Sequence, residues 1–104
     1  MDVSETDFLL GLLGEGHVAY DDQRATMVGD DPALVDMVEK ALEMLMKDGN
    51  KEGFFLMMES GRIDHAHHAT QANRALSETV AFDEAIEKII EVLGVNFMLD
   101  VSIS

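Results

Sequence analysis

The chain has 104 residues, 47% of them apolar, which is enough for one small domain with its own core. A net charge of −14, from 21 acidic against 7 basic residues, argues against nucleic acid and anionic membrane surfaces as partners and favours cations. With no cysteine there is no disulfide framework and no thiolate metal site, so any metal must be held through oxygen and nitrogen.

In chain order, the first seven residues are acidic where a secretory leader would be basic, and no apolar run is long enough for a membrane span. Phe8 to Leu13 is a short apolar run, interrupted by Gly11 and closed by Gly14-Glu15-Gly16, that reads as a short strand or turn. His17 to Asp31 reads as irregular. Asp30-Asp31-Pro32 then predicts a helix start, followed by Leu34, Met37, Val38, Ala41, Leu42 and Leu45 at helical spacing and a stop between Lys47 and Gly49. Gly53-Phe54-Phe55-Leu56-Met57-Met58 is a continuous apolar run and predicts a strand buried on both faces, as in a parallel sheet. A second long helix is expected from Asp64 or His67 to Leu93, with an apolar stripe of Ala72, Ala75, Leu76, Thr79, Phe82, Ile86, Ile89, Ile90 and Leu93, capped by Gly94. The tail from Val95 to Ser104 has strand composition. Helix, buried strand and long helix together predict a piece of an α/β layered fold.

The chemistry concentrates in Met57-Met58-Glu59-Ser60-Gly61-Arg62-Ile63-Asp64-His65-Ala66-His67-His68, which holds three of the four histidines. Glu59 falls where the predicted strand ends, the edge at which α/β sheets gather ligands. Asp64 and His68 are four apart, so a helix there projects both from one face. A carboxylate oxygen with an imidazole nitrogen suits zinc, whereas an isolated glutamate oxygen in a hydrated pocket suits magnesium. The same residues also fit an acid-capped, solvated helix start with no metal.

The segment from Gly53 to His68 resembles the metal-ligand segment of alkaline phosphatases. The likeness extends through Arg74-Ala75-Leu76-Ser77-Glu78-Thr79, Phe82-Asp83 and Ala85-Ile86, and upstream through Leu10 to Leu13, Tyr20 and Asp31-Pro32. It covers residues 8 to 93, a minor internal part of a full-length member. The resemblance implies one partial domain over 1–104, with a divergent tail at 95–104, cut from the family's three-layer α/β fold. It implies Glu59 as the carboxylate of a magnesium (Mg2+) site and Asp64 and His68 as two ligands of a zinc (Zn2+). His65 would lie near bound phosphate, Asp31 matches a calcium (Ca2+) ligand of animal members, and His67 inherits no role. The neighbouring acidic calcium position falls on Gly14, with Glu15 displaced by one.

The resemblance further implies hydrolysis of phosphate monoesters through a phosphoserine, by homodimeric enzymes outside the cell or in the periplasm, some held by a lipid anchor. This chain contains no match to the family's serine motif, to its second zinc site, or to the histidine that completes the first. The 104 residues alone are therefore expected to be inactive. The alternative is a non-enzymatic remnant that binds a divalent ion weakly or only packs against partners.

Overall fold

The computed structural model describes residues 2–26, 31–47 and 51–94. A 3-10 turn at Val3–Glu5 precedes four helices, α1 (Asp21–Arg24), α2 (Leu34–Leu45), α3 (Arg62–His68) and α4 (Ala72–Leu93). α4 is the spine, against which α1, α2 and α3 all pack.

α2 follows its sequence pattern closely. Val38 and Leu42, one turn apart, point inward and meet Ala85 and Ile89 of α4, with Leu34 and Leu93 closing the edges. Leu42 is essentially inaccessible, a burial that contributes roughly 1.5–3 kcal/mol. The helix begins two residues later than Pro32, and Asp31 does not cap it. Instead Asp36, in the first turn, accepts the Ala33 N–H at 3.1 Å, while Asp31 turns away to accept the Ala19 N–H at 3.2 Å. At the far end Lys47 donates to the Thr6 carbonyl, tying the N-terminal turn to α2.

The predicted α/β three-layer fold is not what the structure contains. Among the described residues there is no strand and no sheet. The apolar run at 53–58 is non-helical and has no strand partner, and it is covered on one side only: Leu56 and Met58 pack on the α2/α4 core, whereas Phe55 and Met57 stay 85% and 78% exposed. A strand is defined by its ladder of backbone hydrogen bonds, and among the described residues no second segment supplies one to this run. Phe8 to Leu13 is likewise exposed and irregular. The predicted strand in the tail lies outside the described residues.

Two further expectations are corrected. The second long helix is two helices, because Thr70 adopts φ +56° and breaks the path between His68 and Ala72. Within α4 the buried line is Ala75, Glu78, Ala81, Ala85 and Ile89; Leu76 and Ile90, assigned to the inward stripe, are 68% and 48% exposed. The inner face was obscured because small residues and a glutamate occupy it. The short helix α1, in a region read as irregular, owes its start to that glutamate: the Glu78 carboxylate accepts the Asp21 N–H, supplying a cap that Tyr20 lacks.

Glu78→Ala leaves the Asp21 N–H without its partner and should lower unfolding stability by about 1.5–3 kcal/mol, the range for hydrogen bonds to charged groups. Chemical denaturation followed by circular dichroism measures this, and a change below about 0.5 kcal/mol would mean the cap contributes nothing.

Candidate metal centre

α3 has two chemically distinct faces. A helix turns about 100° per residue, so Arg62 and Ala66 share one side while Asp64 and His68 share another about 200° away. Ala66 is fully buried against Tyr20 and Ala75. The Arg62 guanidinium donates from Nη1 to the Val18 carbonyl at 2.6 Å and lies 3.6 Å from the centre of the Tyr20 ring. Arg74 of α4 approaches the same ring at 4.9 Å, and its Nε donates to Asp22 at 3.2 Å. Such cation–π contacts contribute about 0.5–1 kcal/mol when exposed and about 2 kcal/mol when desolvated; Tyr20, at 8% exposure, is nearer the second case.

With that face pinned, Asp64 and His68 project into solvent. Their side chains are 75% and 79% exposed, and Asp64 Oδ2 stands 3.4 Å from His68 Nε2. As an exposed ion pair this contact contributes little. As a chelate it is well spaced: two ligands of a tetrahedral zinc, at bond lengths of about 2.0–2.2 Å, lie roughly 3.3–3.5 Å apart. The donor types and their separation therefore fit one zinc ion, as two of its four ligands.

Glu59 faces elsewhere. With Ser60, Gly61, Arg62, Asp21 and Glu78 it lines a cleft of about 90 Å³. Its carboxylate curls back over Gly61, where an added Cβ would sit 3.3 Å from Oε1 and force the carboxylate to shift. Among the described residues no three histidine or acidic side chains converge as a metal-binding group. Glu59 is thus not brought to the Asp64/His68 pair.

His65 is half-buried, its ring edge-on to His17 with centroids 4.4 Å apart, and its Nδ1 is buried without a hydrogen-bond partner. His67 is exposed. Asp31 uses one carboxylate oxygen to hold the loop at Ala19, and Glu15 is exposed on the approach to that loop. Sequence reasoning misses His17 and reads Tyr20, Arg62, Arg74 and Glu78 only as points of likeness, with no supporting role. The available signal was a lone tyrosine beside acids, with an arginine opening the ligand segment.

Compared with known proteins, residues 1–100 match the family profile described as alkaline phosphatase. The chain is 49% identical over 88 residues to the tissue-nonspecific isozyme of alkaline phosphatase from Rattus norvegicus, covering 85% of this chain and 16% of that protein. It is 44% identical over 86 residues to the Homo sapiens isozyme of the same name, covering 83% of this chain and 16% of that one. It is 39% identical over 93 residues to a membrane-bound alkaline phosphatase of Bombyx mori, again covering 86% and 16%. The chain thus spans about a sixth of the length of these relatives. No solved structure matches.

Thr70, two residues beyond His68, holds a left-handed conformation that costs a β-branched residue about 1–2 kcal/mol. Thr70→Gly removes that cost at some expense in chain entropy and should stabilise the fold by about 0.5–1 kcal/mol, raising Tm by a few degrees. A fall in Tm for the glycine variant would contradict the left-handed turn.

Proposed function

Because the chain belongs to the alkaline phosphatase family, we propose that it supplies part of the metal-binding machinery of a phosphomonoesterase. The reading is carried by Asp64 Oδ2 and His68 Nε2, which lie 3.4 Å apart on one open face. In it these two side chains hold a zinc ion, Glu59 contributes a carboxylate to a separate magnesium site, and Asp31 is a candidate calcium ligand.

Bound zinc supplies Lewis-acid stabilisation of phosphate oxygens and lowers the pKa of a hydroxyl or water nucleophile. The chain's own residues have simpler tasks. Asp64 brings formal negative charge and one oxygen. His68 brings an imidazole nitrogen, the second donor of the pair. In this reading His65, which falls between the two in sequence, contributes a hydrogen bond to a phosphate oxygen. The substrates proposed are phosphate monoesters, the assembly a homodimer and the location the cell surface, in keeping with the membrane-bound relative from Bombyx mori. None of the described helices is long and apolar enough to cross a membrane. Two exposed ligands make an open half-site, which favours the narrower reading that these 104 residues do not turn over substrate alone.

Zinc titration of the chain, followed through the histidine ring resonances, should perturb His68 before His67, and Asp64→Ala should weaken that response at least tenfold. Equal perturbation of all histidines, insensitive to Asp64→Ala, would contradict the chelate. With zinc and magnesium added at alkaline pH, the chain should release no p-nitrophenol from p-nitrophenyl phosphate above the rate of its Asp64→Ala variant. Turnover that this substitution abolishes would show that the chain is an enzyme unaided.

A further inference from the structure

We propose that Tyr20 is a positioning residue for the Asp64/His68 pair, an inference that rests on the metal-binding reading above. Tyr20 touches neither side chain. Its ring is approached by the guanidinium of Arg62, 3.6 Å from its centre, and that of Arg74, 4.9 Å from it, and it packs on Ala66 and Ala75.

Three observations give this contact its consequence. First, Arg62 and Ala66 are the inward face of α3, about 200° around the helix from Asp64 and His68, so whatever fixes that face fixes the direction of the other. Second, α3 has only seven residues and no side-chain cap at its N-terminus, so it cannot hold its own orientation by helix stability alone. Third, the ring is itself held: the next residue's N–H is bound by Glu78, Val18 O accepts from Arg62, and Asp22 pairs with Arg74. Tyr20 therefore joins the rigid α4 to the short helix that carries the ligands. The 3.4 Å pair exists only while residues 64–68 are helical, because the four-residue spacing brings the two donors together on a helix face and separates them in an extended chain.

The arginines act through the ring, since each guanidinium faces its π-surface. The hydroxyl has no part in this, so phenylalanine should substitute and an aliphatic residue should not.

The test compares the 104-residue chain with Tyr20→Phe, Tyr20→Leu and Arg62→Lys, reading zinc affinity from the His68 ring resonance and α3 order from backbone shifts over 62–68. Tyr20→Phe should bind zinc within about twofold of the parent, whereas Tyr20→Leu should bind about tenfold or more weakly, the scale of losses when a ligand's support is removed. Arg62→Lys keeps the charge, loses the guanidinium over the ring, and should fall between them; it serves where Tyr20→Leu loses helical content. Parental affinity in Tyr20→Leu with its helices intact would overturn the proposal, as would equal losses in the phenylalanine and leucine variants. Failure of the parent chain to bind zinc at His68 would instead sink the metal-binding reading. The claim on Tyr20 then stands or falls on the metal-free result, with α3 order lost in Tyr20→Leu and Arg62→Lys but retained in Tyr20→Phe.

Discussion

Everything described here depends on the inner face of α4 being small. Ala75, Ala81 and Ala85 are nearly or fully buried along that face, and α1, α2 and α3 close on the same helix. Small side chains let partner helices approach, and the space left is filled by residues that reach in: Val38 and Leu42 at one end, the Tyr20 ring at the other. Enlarging an alanine in such a face forces its neighbours off their rotamers, typically at about 1–3 kcal/mol. Between the two clusters Glu78 occupies the one position on this face where a charge is buried, and a backbone N–H from another element satisfies it.

From that spine the candidate site follows by rotation. The Tyr20 cluster takes Arg62 and Ala66, and helical geometry then presents Asp64 and His68 to solvent on the far side. Thr70, two residues beyond His68, breaks the helical path, letting α4 leave in a new direction. A continuous helix through this point, as the pattern suggested, would tie the orientation of Asp64 and His68 to that of α4. The break separates the two helices, and the contacts of Arg62 with Val18 and Tyr20 hold α3 instead.

What could be read in advance was local. The spacing of Asp64 and His68 needed only helical geometry, and the structure places the pair within chelating distance. α2 was visible because its inward residues are large and apolar. The inner face of α4 was not, because alanines and a glutamate carry no hydrophobic contrast with the exposed Leu76 and Ile90 beside them. The run Gly53 to Met58 was read by composition as a strand buried on both faces, and composition cannot say whether a neighbour is present. The support around Tyr20 joins residues more than forty positions apart, beyond the reach of any local pattern.

The strongly acidic composition and the Asp64/His68 pair answer different questions. A net charge of −14 attracts any cation, but over a Debye length of about 8 Å at physiological salt it cannot distinguish one from another. Selection has to come from contact geometry, and only Asp64 and His68 supply an oxygen and a nitrogen at zinc spacing among the described residues. Their mutual attraction is weak because both are in water, so an arriving ion displaces little to take them. The same exposure limits what they can do: a metal on two ligands keeps its other positions open to solvent and is held loosely. On the proposed reading, an exposed, pre-spaced pair is therefore a half-site, which binds firmly only when further ligands are brought to the same ion.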